Sequence, residues 1–185
     1  MFRSHLSSIT LCAAILPLVS FGCGIFGSSD YPPLETVASV DVDRYCGLWY
    51  EIASLPVSQQ KGCRCTTAEY SKIDATTIRV VNRCMKDNGE DSATAKAFVV
   101  EGSGNAKLRV QFFWPFRGDY WIVELAPDYS YAVVGVPNRK YFWILSRTKT
   151  MDGTMLDQIL GRLKANGFDV SRAQRTVHDC GGAGA

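Results

Sequence analysis

Between Leu48 and Arg147 the chain alternates apolar and polar residues in short runs, and each run ends at a turn-forming cluster. Leu108, Val110 and Phe112 alternate with Arg109 and Gln111. Ala95, Ala97 and Val99 share a face that Lys96 does not. The pattern predicts strands over Leu48–Ser54, Arg64–Ile73, Thr77–Cys84, Thr94–Glu101, Leu108–Phe112, Tyr120–Leu125, Tyr131–Val136 and Tyr141–Arg147. Asp74-Ala75-Thr76 is short enough to close a hairpin. Lys86–Ser92, Gly102–Ala106, Pro115–Gly118, Pro127-Asp128 and Pro137-Asn138 read as turns, and Leu55–Gly62 as a longer loop. Tyr120–Leu125 is apolar on both faces apart from Glu124, so its inward side is not assigned. Asp41–Tyr45 forms a lead-in of about one helical turn. After the last strand the period changes. Met155, Leu156, Ile159, Leu160 and Leu163 recur at helical spacing, Asp152 or Thr154 caps the start, and Gly167 ends it. An extended piece, Ala173–Val177, leads to Cys180, and the tail 181–185 is expected to fray.

Eight strands joined by short links, then one helix, predict an all-β fold: an eight-stranded up-and-down antiparallel barrel with one external C-terminal α-helix. Closing eight strands hides the sheet edges and leaves room inside for side chains or one small ligand. A two-layer sandwich is the alternative, and the absence of a long crossover favours the barrel.

The first forty residues belong outside that domain. Arg3 and His5 precede an apolar stretch, Ile9–Phe21, too short to span a bilayer comfortably. With Gly22-Cys23 it resembles a bacterial lipoprotein signal, although Ser20 stands where that pattern has an aliphatic residue. The resemblance implies a signal over 1–22, a lipidated Cys23 as membrane anchor, and a place in the bacterial envelope, at the outer membrane. A plain signal peptide or an uncleaved anchor is the other reading. Residues 23–40 then read as a tether and 41–185 as the barrel domain.

Twenty basic and eighteen acidic residues give a net charge of +2, which makes no electrostatic case for nucleic acid. The chain has seven cysteines and two histidines, His5 and His178. So few histidines argue against a metal site, a catalytic His or any cofactor built on them. Cys63-Arg64-Cys65 is spaced too tightly for a usual zinc knuckle. Beyond Cys12 in the signal and Cys23, five cysteines remain in an exported chain, where disulfides are the default.

The most specific signal is the pair formed by Gly47-Leu48-Trp49-Tyr50-Glu51-Ile52-Ala53 and a distant Arg147. Gly47 permits a sharp entry into the first strand. Trp49 can plug one end of a closed sheet, and a guanidinium can lie flat on its indole. With Asp128-Tyr129 between them, these three motifs stand in the order of the lipocalin family, which the chain resembles from Asp41 to Cys180. Thr67–Ser71, Val81–Cys84 and Gly167–Ser171 are more specifically similar to the bacterial lipocalin and apolipoprotein D branch. The resemblance implies a calyx that binds, stores or transports small apolar molecules, fatty acids or lysophospholipids in the bacterial members. It also implies a Cys65–Cys180 bridge to the C-terminal tail. Cys63 and Cys84 lie on the neighbouring strands of the first hairpin and can pair there, which would leave Cys46 free.

Strand parity then gives a lining. With Trp49 and Arg147 inward, Glu51 and Ala53 follow on the first strand, and Leu145, Trp143 and Tyr141 on the eighth. Leu108, Val110, Phe112, Ala97, Val99, Ile78 and Val80 complete it. Glu51, a carboxylate inside a barrel, needs a partner, and Arg147 or a tyrosine is the expected one. Tyr141, Lys140, Lys61 and Arg64 are candidates to meet a head group. Phe112-Phe113-Trp114-Pro115-Phe116 is unusually apolar for a strand end, and can guard the mouth, touch membrane, form a homodimer contact or simply pack. Two other functions stay open: an isomerase-like enzyme with Cys46 or Cys65 as nucleophile, and an interaction protein with a filled barrel.

Overall fold

The computed structural model describes residues 31–180. The signal, Cys23, the first part of the tether and the tail 181–185 lie outside those residues. A single turn α1 (Val42–Tyr45), capped by the Asp41 carboxylate, precedes β1 (Gly47–Ser54). β2 (Arg64–Lys72), β3 (Thr77–Lys86), β4 (Gly89–Val99), β5 (Lys107–Gln111), β6 (Gly118–Leu125), β7 (Tyr131–Gly135) and β8 (Phe142–Ser146) follow. Each pairs antiparallel with its sequence neighbour, and β8 returns to β1 to close the eight-stranded barrel. α2 (Gly153–Ala165) lies outside it, and a short β9 (Gln174–Arg175) adds to β1.

Alternation sorts the apolar side chains into two clusters. Inside the barrel lie Tyr45, Trp49, Tyr70, Val80, Ala95, Ala97, Leu108, Ile122, Val134 and Leu145. Outside it, Ile52, Val133, Phe142 and Ile144 meet Leu156, Ile159 and Leu163 of α2. Asp152 caps α2 by accepting the Met155 N–H, and Arg162 grips Glu124 of β6 through two hydrogen bonds.

Four details depart from the sequence expectation. The polar stretch Lys86–Ser92 is ladder rather than turn: Arg83 pairs with Ser92 and Met85 with Glu90, leaving only Asp87 and Asn88 as the bend. At the barrel rim both faces of a strand meet water, so backbone pairing persists without an apolar face. A bulge between Glu51 and Ala53 turns Ala53 outward into the cluster under α2, not inward after Trp49. A second bulge, between Ile122 and Glu124, lets Glu124 follow Val123 onto the outer face, where it meets Arg162 and Tyr131. Tyr120 and Ile122 face in, while Trp121 and Val123 face α2.

The fourth departure is the segment 31–40, read from its composition as tether. It is laid along the barrel. Arg139, in the β7–β8 turn, donates to the Pro32 carbonyl, Leu34 is buried beside Phe142 and Phe168, and the Val37 N–H donates to Ile122. The Val40 N–H then donates to Gly104 at the opposite end. The N-terminal strap therefore starts at the end of the barrel where β7 turns into β8 and finishes under α1.

Candidate functional site

The end of the barrel beneath α1 is solid. Gly47 enters β1 with φ +99°, and a Cβ there would meet the Arg147 guanidinium at 3.4 Å. Trp49 is fully buried, and its indole N–H donates to the Tyr45 carbonyl at 2.8 Å. The Arg147 guanidinium lies 3.7 Å from the Trp49 ring centroid. It donates to the carbonyls of Arg44, Tyr45, Cys46 and Leu48, stitching α1 to the barrel floor. Above this plug the hydroxyls of Tyr45 and Tyr70 each hydrogen-bond to that of Tyr120, at 2.8 Å in both cases. Burial pushes all three phenols up from their ordinary range, Tyr70 to about 12.

Above the tyrosines the barrel is hollow. A cavity of about 900 Å³ opens at the opposite end, with Tyr70, Tyr120, Val80 and Leu145 at its base. Val110, Trp143, Ala68 and Ala93 form its walls. Tyr141 stacks on Trp143 at the rim, ring centroids 6.1 Å apart, beside Phe112. Of the sequence-derived lining, the fold brings Glu51, Val110, Phe112, Tyr141, Trp143 and Leu145 onto this wall. Leu108, Ala97 and Val99 are not on it. They face inward but belong to the packed layer nearer Trp49. Alternation assigns a face, and it is blind to depth along the barrel.

The rim also revises the head-group candidates. Arg64 pairs with Asp179 outside, at 3.5 Å, and Lys140 is exposed away from the cavity. Lys61 lines a neighbouring chamber rather than the main one. Sequence reasoning missed two cations on the main lining: Arg83, paired with Glu69 at 2.8 Å, and Arg117, stacked over Phe98 at 4.2 Å. For Arg117, its position just after the aromatic run was the available signal. That run forms an exposed crest at the mouth: Phe113 meets Phe116 edge to face, and Trp114 is 85% exposed.

Glu51 is 6% exposed. Its partners are neither Arg147 nor a tyrosine. Ser54 Oγ donates at 3.1 Å, Gln60 Nε2 at 2.7 Å and Thr176 Oγ1 at 2.6 Å. Arg147 is committed to the floor, and Glu51, the next inward position after Trp49 on β1, faces the cavity above it instead. Thr176 is there because the tail completes the wall. β2 pairs with β1 only from Gly47 to Tyr50. Beyond that point the two strands part, β9 pairs with Ala53 and Ser54, and the Cys65 N–H donates to Val177. Bridges Cys65–Cys180 and Cys63–Cys84 fasten this side of the rim.

These bridges occupy both cysteines of the Cys63-Arg64-Cys65 run, so neither is available as a metal ligand. Cys46 is the free thiol among the described residues, and it lies at the closed end. Burial and the Asp43 carboxylate push its thiol up. No free thiol among the described residues lines the cavity.

The family description of a lipocalin-like domain matches residues 40–178. The outer membrane lipoprotein Blc of Vibrio cholerae is 40% identical over 142 residues, covering 75% of this chain and 83% of that protein. Apolipoprotein D of Macaca fascicularis is 31% identical over 178 residues, covering 85% of this chain and 92% of that protein. Among solved structures, insecticyanin of the tobacco hornworm Manduca sexta superposes with a TM-score of 0.63 at 24% identity, over 79% of this chain and 85% of that one. That last likeness speaks for the fold alone.

Proposed function

The chain belongs to the lipocalin family, in the branch of the Blc lipoproteins and apolipoprotein D, and on that premise we propose that it carries single-chain lipids at a membrane surface. The cargo is a fatty acid or lysophospholipid. The observation that carries the reading is the cavity of about 900 Å³, open at one end and walled by Val110, Trp143, Leu145 and Phe112. That size falls in the range of small-molecule sites. Each buried methylene contributes about 0.8 kcal/mol, so a long acyl chain binds in the micromolar range after ordering costs. Such an interaction discriminates little between chain lengths.

Three observations support a mouth turned toward the bilayer. Phe113, Trp114 and Phe116 stand out from the rim with Arg117 beside them, the composition of an interfacial anchor. The strap begins at Tyr31, next to the β7–β8 turn of the same rim. Cys23 lies eight residues earlier, so an extended chain reaches at most about 28 Å from that point. A lipid on Cys23 would hold the open end close to the membrane. The Blc relatives are named outer membrane lipoproteins, which supports the same site in the bacterial envelope.

The test is a titration of the delipidated, folded mature chain with a fluorescent fatty acid, followed by flotation with liposomes. Saturable micromolar binding is expected, and Trp114→Ser should weaken flotation of the unlipidated chain without changing fatty-acid affinity. A folded protein that takes up no acyl chain would return the interaction-protein reading.

A further inference from the structure

Beside the cavity mouth lies a second, smaller chamber of about 470 Å³, between the Pro56–Cys63 loop and β9. Glu51, Gln60, Val57, Cys63 and Thr66 line both spaces, so the two share a wall that includes the Glu51 side chain. The walls of the small chamber are polar: Ser54, Ser58, Gln174 and Thr176 contribute. Nothing in the acyl-chain reading uses it.

Its chemistry is lopsided. Glu51 is buried, yet every hydrogen bond to its carboxylate comes from a neutral group, the hydroxyls of Ser54 and Thr176 and the amide of Gln60. A buried carboxylate ordinarily has a cationic partner. The Gln60 amide, having given its N–H to Glu51, turns its carbonyl oxygen into the protein, where Oε1 is buried without a hydrogen-bond donor. Among the described residues this is the one buried side-chain polar atom left unpaired. The shared wall thus offers one negative charge whose hydrogen-bond partners are all neutral: none of its donors also carries a positive charge. A primary ammonium supplies both, with three N–H donors in a group small enough for the gap. The cations nearby suit the rest of a zwitterion: Lys61 and Arg175 line the small chamber, and Arg117 lines the main cavity.

We infer that Glu51 and Gln60 form a head-group subsite selecting lipids that end in a primary ammonium, of the lysophosphatidylethanolamine type, over anionic lipids with the same tail. The inference rests on the carrier reading for the tail and adds the selection. A carboxylate end group would face Glu51 with like charge.

The experiment compares three ligands of one acyl length on the delipidated mature chain: lysophosphatidylethanolamine, lysophosphatidylglycerol and the free fatty acid. The wild type should bind the ethanolamine lipid at least about tenfold more tightly than the glycerol lipid. Glu51→Gln should abolish that ratio and, by removing the like charge, should tighten rather than weaken binding of the free fatty acid. Glu51→Asp, which keeps the charge but draws it back from the shared wall, should lower the ratio and serves where Glu51→Gln fails to fold. Phosphoethanolamine alone, titrated while the Gln60 side-chain amide is followed by NMR, reads the subsite without a tail. A shift there with no acyl binding would sink the carrier reading and keep the subsite. Equal affinities for the two lysolipids, or a ratio that survives Glu51→Gln, would overturn the proposal.

Discussion

The two ends of this barrel are built from the same strands with the same alternation, and they do opposite things. At the closed end aromatic groups satisfy one another. Trp49 is sandwiched by Arg147 and Tyr45, and three tyrosine hydroxyls converge on one point. At the open end Trp143, Tyr141 and Phe112 face a void, and Trp114 faces solvent. Ring content therefore does not decide whether a barrel is filled. The deciding factor is whether opposing strands converge, as β1 and β2 do from Gly47 to Tyr50, or part, as they do beyond it. Where they part, the tail and two disulfides hold the wall that packing no longer holds.

On that contrast, stability resides at the floor and affinity at the mouth. Trp49→Ala should cost about 3–5 kcal/mol in denaturant unfolding, because a buried indole and its stacked guanidinium both lose their partner. Fatty-acid affinity of the fraction still folded should change little. A large affinity loss with small destabilisation would break the division. Replacing Cys65 and Cys180 together by Ser should cost about 2–4 kcal/mol, since the bridge spans 115 residues of sequence. It should also speed hydrogen exchange at Thr176 and Cys65, whose amides join the tail to the wall.

Trp143→Glu sharpens the other half of the comparison. A charge against the acyl chain should weaken fatty-acid binding by about 100-fold, while the unfolding midpoint moves little because the side chain already borders open space. Unchanged binding in calorimetry would mean the cargo lies elsewhere.

The smallest effect belongs to the tyrosine cluster. Tyr120→Phe leaves Tyr45 and Tyr70 without their shared partner and should cost about 1–3 kcal/mol. Its pH signature is the sharper measurement. Because burial raises these phenols, the unfolded chain releases their protons from about pH 10, while the folded protein keeps Tyr70 protonated to about 12. Stability is therefore fully present below pH 10 and falls as the pH rises from 10 toward 12. Denaturation midpoints across that window should fall less steeply in the Tyr120→Phe variant. A flat profile in the wild type would show that the cluster is open to water.

Much of this molecule is legible from its residues because period and order are local properties. Alternation in short runs, a switch to helical spacing after Asp152, and Gly47-Leu48-Trp49 with a late Arg147 were enough for the barrel, its helix and its plug. Parity correctly turned Leu145, Trp143 and Tyr141 inward, since nothing interrupts β8. It misplaced Ala53, since one extra residue in a strand reverses every side chain after it and carries no fixed composition, and it stayed silent on β6, whose two faces are both apolar in the sequence. Depth was equally hidden: Leu108 and Val110 look alike in sequence, yet one is in the packed layer and the other on the cavity wall. Of the partners of Glu51, Ser54 and Gln60 are near in sequence, but Thr176 lies 125 positions away and reaches it only because the tail enters the gap between β1 and β2. The sequence by itself thus determined which residues could line a barrel. How far up the barrel the filling stops, and what closes around Glu51, was decided by strand divergence and by the return of the tail, which no local pattern encodes.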